Sequence, residues 1–141
     1  MKNEAYPFSV MEKLSAAIGG DDYSLQWLKD NSYPQLADFS DAINGDEIAF
    51  RKLMKDQHPE LAAVADALAG KEEAKKWLLV NGFREYAAMV DAVEENKGAV
   101  IWLVKSGYNE WLLVAKAINA KIQRDERKNP LGFLGGLLPR W

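Results

Sequence analysis

The chain has 141 residues and a mass of 15.8 kDa, one domain's worth of protein, and at that size folding buries about two-thirds of the surface exposed by the unfolded chain. An apolar share of 48% and a charged share of 28% exclude disorder over most of the length, and a net charge of -3 leaves no electrostatic footprint for a nucleic-acid binder. The absence of cysteine excludes disulfides, thiolate metal sites and a cysteine nucleophile, while a lone histidine, His58, excludes a centre built on several imidazoles.

At the N-terminus, Met1-Lys2-Asn3-Glu4 runs into Ala5-Tyr6-Pro7 rather than an apolar stretch, so no secretory signal is read there. Residues near 5–21 then supply one helix, with Phe8, Met11, Leu14, Ala17 and Ile18 at helical spacing ahead of Gly20. From Asp22 the sequence repeats itself every 25 residues without a gap, in units near 22–46, 47–71, 72–96 and 97–121. Leu28, Leu53, Leu78 and Leu103 share one column, beside Trp27, Lys52, Trp77 and Trp102. Tyr33, His58, Phe83 and Tyr108 form a third column, and Leu36, Leu61, Tyr86 and Trp111 a fourth. Ala42, Ala67, Ala92 and Ala117 are identical throughout, and the first helix falls into the same columns as half a unit.

Each unit reads as two short helices. The first runs from acidic residues such as Glu72-Glu73 towards basic ones, which complements the helix dipole, and stops at Asn81-Gly82 or Ser106-Gly107. The second opens at Pro34 or Pro59, where a proline costs no hydrogen bond, and closes at Gly45 or Gly70. Helices this short are marginal alone and must stack on their neighbours. The identical alanines mark the expected close approach between units, where Ala67→Leu should overpack the joint by about 1–3 kcal/mol.

The last helix runs past the period through the charged stretch 121–128, read as a solvated helix end. Pro130 breaks it, and residues 130–141 form an apolar segment interrupted by glycine and proline. That segment is read first as a lid folded over the array, second as a docking or dimer-exchanging peptide, and third as a membrane-surface anchor.

The pattern resembles the general class of tandem helix-hairpin repeat proteins, the architecture of tetratricopeptide and HEAT arrays, over roughly residues 5–128. The unit is shorter than either and lacks their signature residues. The expected fold is therefore all-α: a short α-solenoid of about four 25-residue hairpins with an N-terminal half-repeat cap, forming a single domain over 1–129. An open array of this kind would tolerate in-register removal of one unit such as 47–71. The resemblance implies binding to other macromolecules, usually protein, on an extended surface.

Candidate chemistry is thin. His58 occupies a column of rings and reads as a packing residue, and no nucleophilic triad can be drawn around it. Asp41, Asp66 and Asp91 form a column near helix C-termini, an unfavourable place for a carboxylate, so they read either as hydrogen-bond acceptors for a neighbouring unit or as an acidic ladder for a partner. The tryptophans read as boundary or core residues, with a stacking ladder as the rival. No phosphate-binding loop or dinucleotide fingerprint occurs.

The expectation is a non-enzymatic protein–protein interaction module without catalytic residues, cofactor or metal, its partner another protein or a second copy. Nucleic acid is not expected as a partner, nor is a membrane, and the expected location is cytoplasmic. The expected partner-binding residues are Asp41, Asp66 and Asp91, the aromatics Tyr86 and Trp111 taken as exposed, and Phe133, Leu134 and Trp141 of the apolar segment. The alternatives are a small-ligand binder or enzyme using a cleft between segment and array, and docking or oligomerisation through the segment itself.

Overall fold

The three-residue turn is the unit of construction. In a computed structural model that describes residues 6–128, each helix is joined to the next by three residues, and among the described residues there are nine helices and no strand. They are α1 (Phe8–Ile18), α2 (Asp22–Asp30), α3 (Pro34–Ile43), α4 (Glu47–Lys55), α5 (Pro59–Leu68), α6 (Glu72–Val80), α7 (Arg84–Val93), α8 (Lys97–Lys105) and α9 (Asn109–Lys128).

Local chemistry sets the ends. Pro34 and Pro59 occupy the first turns of α3 and α5. The Asp46 carboxylate accepts from the amides of Ile48 and Ala49 at 2.9 and 3.1 Å, and the Asn96 side chain accepts from the Ala99 amide at 3.0 Å. After α5 the Gly70 amide donates to Ala67 O at 3.0 Å and the Lys71 amide to Asp66 O at 3.1 Å, with Gly70 at φ +96°. This is a Schellman closure, which satisfies the last carbonyls of a helix. Ser32, Gln57 and Glu95 hold left-handed conformations at the corresponding turn positions without being glycine, a strain of about 1–2 kcal/mol each.

Because every turn reverses the chain, the odd-numbered helices all run one way. Each packs on the next odd helix, and α9 packs back against α1, so the five form a closed inner ring. Each even-numbered helix lies outside, wedged between two inner ones. Met11, Leu36, Leu61, Tyr86 and Trp111 fill one layer inside the ring, and Leu14, Phe39, Val64, Met89 and Val114 the next. Leu28, Leu53, Leu78 and Leu103 anchor the outer helices and are buried as well.

The ends therefore do not stand free, as an open stack with separate caps would leave them. The apolar faces of the first and last helices cover each other, because burying both against one another removes more apolar surface from water than leaving two ends exposed. No even-numbered helix covers the seam between α9 and α1. There Glu12 is exposed at the position where Ala37, Ala62 and Ala87 are buried, which suits the seam to water. α9 extends beyond its siblings because Ala120 stands where Gly20, Gly45 and Gly70 end theirs. Its Asn119 amide group donates to Val93 O at 2.8 Å, satisfying the end of α7.

The expected joint column is unevenly buried. Ala42 and Ala117 are only half-buried, although Ala67 and Ala92 are buried. A second column, Ala37, Ala62 and Ala87, is buried more completely.

Candidate functional site

Closing the ring spreads the outer layer. The even-numbered helices do not pack on one another, so an inner helix shows between each pair as the floor of a groove. Between α4 and α6 the floor is Pro59, Ala63 and Asp66, with Met54 on one wall and Ala74 and Trp77 on the other. Between α6 and α8 the floor is Arg84, Ala88 and Asp91, with Leu79 on one wall and Ala99 and Trp102 on the other. Every one of these residues lies 25 positions from its counterpart, so one groove is built twice. Their volumes are about 320 and 200 Å3.

The tryptophan walls are held by stacking across the turn. Trp77 lies on Phe83 with centroids 5.8 Å apart and planes 11° off parallel, and Trp102 lies on Tyr108 at 5.7 Å and 21°. Trp27 stacks on Tyr33 in the same way at 6.4 Å. The tryptophan and ring columns are thus one device, each contact contributing about 0.5–1.5 kcal/mol beyond burial. The Arg84 guanidinium caps the Trp102 ring at 4.9 Å from its centroid. Trp77 keeps 37% of its surface open, and Met54 and Leu79 are each about half exposed along the groove rims, as is their counterpart Val104 on α8, which lines neither groove.

The gap between α2 and α4 is different. Lys52 and His58 replace the tryptophan and its ring, and Lys52 pairs with Asp38 of α3 at 3.4 Å, while His58 Nδ1 lies 3.6 Å from Glu60. A space of about 100 Å3 remains among Pro34, Gln35, Asp38, Lys52, Asp56 and His58. Asp38 occupies the column of Ala63 and Ala88, and Lys13 occupies it in α1, where its ammonium lies 5.4 Å from the Trp27 ring centre. The residue fourteen places along therefore changes with it: Lys13 with Trp27, Asp38 with Lys52, Ala63 with Trp77 and Ala88 with Trp102. That register was present in the sequence, but the Lys13–Asp38–Ala63–Ala88 column varies in chemistry and does not announce itself.

The aspartate column is half-buried and largely neutralised. Lys75 of α6 donates to Asp91 at 2.9 Å, and Lys71 pairs with Asp66 at 3.4 Å. The Asp91 hydrogen bond raises the Lys75 pKa above its ordinary value. Burial raises the pKa of Asp41, against the lowering influence of Lys29. Asp66 and Asp91 each line a groove, whereas Asp41 lines neither of them.

Tyr86 and Trp111 are not exposed: they keep 3% and 4% of their surface and belong to the core. They point into the ring because each is the third residue of an inner helix, the layer filled elsewhere by Met11 and leucines. Their rings meet edge to face at 4.5 Å, and Trp111 meets Tyr6 at 6.4 Å across the seam where the ring closes. Beside them Glu85 is buried, and burial pushes its carboxyl pKa up. Phe133, Leu134 and Trp141 lie outside the described residues.

Among the described residues no three His, Asp or Glu are placed to share a metal ion, and no helix is long and apolar enough to cross a membrane. Comparison of the chain with protein-family models, with curated proteins and with solved structures finds no match to any of them.

Proposed function

We propose that the chain is a short α-solenoid of 25-residue hairpins, closed on itself, that serves as a non-enzymatic interaction module, taking apolar side chains of a polypeptide into the two side grooves. The observation that carries this reading is the duplication of one partly apolar groove, with the same residues 25 positions apart and a row of half-exposed side chains along the rims. Adjacent grooves of one chemistry suit a repeating ligand such as a peptide, since two weak contacts on one strand combine through effective concentration. The tryptophan walls supply the aromatic anchors that dominate such interfaces.

Selection from a random peptide library tests the reading. Enriched peptides are expected to carry spaced apolar residues and to lose about tenfold or more in affinity when Ala63→Trp or Ala88→Trp fills a groove floor. Enrichment of nothing, or of peptides indifferent to both substitutions, would overturn it.

A further inference from the structure

We infer that residues 130–141 of the chain are themselves the resident ligand of the paired grooves, so that the module is self-occupied until a competing peptide displaces them. This inference rests on the groove reading above. Its first support is position. The segment leaves α9, which packs against α7 and α8, and α8 forms the far wall of the α6–α8 groove. Thirteen residues follow Lys128 in the sequence, enough to span about 43 Å when extended, whereas returning along the length by which α9 outruns α7 takes about 15 Å and crossing α8 and α6 about two helix diameters, 20–24 Å. Both grooves are within reach.

The second support is chemistry. The segment's large apolar residues come in knots, Leu131, Phe133-Leu134, Leu137-Leu138 and Trp141, separated by glycine or by Pro139-Arg140. Glycine lets a backbone lie close against the tryptophan walls, and the prolines favour extended chain over helix. On the path from α9, the half-exposed side chains occur in the order Val104, Leu79 and Met54, with one groove between each pair. The segment carries a single cation, Arg140, between its last two apolar knots. The far groove is floored by Asp66, whose side chain keeps 31% of its surface and whose partner Lys71 is largely solvated and easily displaced.

A tethered ligand is present at an effective concentration in the millimolar range, so even modest affinity keeps the grooves filled. A free peptide would bind the full chain more weakly than one lacking the segment.

Because the chain has no cysteine, single-cysteine variants report the grooves directly. Met54→Cys and Leu79→Cys, at exposed rims, would be reacted with a maleimide in the full chain and in a chain ending at Asn129. Tyr23→Cys on α2 serves as the control. We expect the shortened chain to react about tenfold faster at both rims, as release of a ligand bound nine-tenths of the time gives, with no change at Tyr23→Cys. A synthetic peptide of residues 130–141 added to the shortened chain should restore protection, and Ala63→Trp with Ala88→Trp should abolish that restoration. Equal rim rates in the two chains would overturn the inference. So would protection that grows with protein concentration alongside a dimer by light scattering, because the segment would then sit in a second copy. If the rims are unprotected yet library peptides still depend on Ala63 and Ala88, only the self-ligand falls; if that dependence is also missing, the groove reading falls with it.

Discussion

The gap between α2 and α4 and the gap between α6 and α8 occupy equivalent places on one scaffold and are filled by opposite chemistry. In one, Asp38 and Lys52 meet as an ion pair and His58 faces Glu60. In the other, alanine opposes tryptophan, the tryptophan lies on a neighbouring ring, and a groove stays open. The scaffold requires only that the two positions fourteen residues apart suit each other. A charge on the inner helix demands a countercharge, because a carboxylate left unpaired in so buried a place is costly. An alanine demands nothing, which lets a tryptophan stand as a wall. An open groove is thus gained where the inner residue is small and lost where it is charged.

Removing the polar hairpin altogether asks whether it matters as a member of the ring, and this is the largest effect expected. Deletion of residues 47–71 takes out α4 and α5, leaving four inner helices with joints curved for five. An open array would survive that loss; the closed ring should lose its cooperative urea transition, read by circular dichroism. A cooperative, fully helical product would show that closure contributes little.

Converting one chemistry into the other comes next. Lys52→Trp alone strands the Asp38 carboxylate and should destabilise by about 1–3 kcal/mol. Adding Asp38→Ala and His58→Tyr recreates the pattern of the other gaps and should bring stability back to within about 1 kcal/mol of the parent by urea midpoint, with a third groove opened. If the single substitution costs nothing, the fourteen-residue coupling is not energetic.

The smallest effect concerns Asp41, the member of its column without a lysine within bonding distance among the described contacts. Burial raises its folded pKa above the ordinary 3.8, so the ionised carboxyl costs stability at neutral pH. That cost shrinks as pH falls through the raised value and vanishes below the unfolded one. Asp41→Asn should therefore raise the melting temperature slightly at pH 7, with the difference fading towards pH 3. A constant difference across that range would assign the effect to the helix terminus instead of to titration.

Much of the fold was legible because its rules are local. The leucine column, the proline starts and the glycine stops act within a turn or two of where they are read, and the identical spacing makes each reinforce the others. Closure was not legible, since it depends on whether successive joints turn the chain by a fifth of a circle. That angle is the sum of small differences in side-chain size, such as Ala37, Ala62 and Ala87 against half-buried Ala42. The site was less legible still. Tyr86 and Trp111 looked like surface anchors because aromatic residues near a charged column suggest binding, yet their place in the third position of an inner helix turns them inward. The grooves depend on a pairing between columns rather than on any single column, and conspicuous residues such as the aspartates drew attention away from the alanines that make room.

Joining α1 to α9 has a consequence for how such a sequence can change over generations. In an open stack, duplicating or losing one 25-residue stretch of coding sequence lengthens or shortens the array and leaves the remaining interfaces alone. Here the same event would alter the curvature demanded of every interface at once. Copy number is therefore held fixed by geometry, and variation is confined to what each copy displays, which is how one scaffold comes to carry both a salt-bridged gap and two aromatic ones.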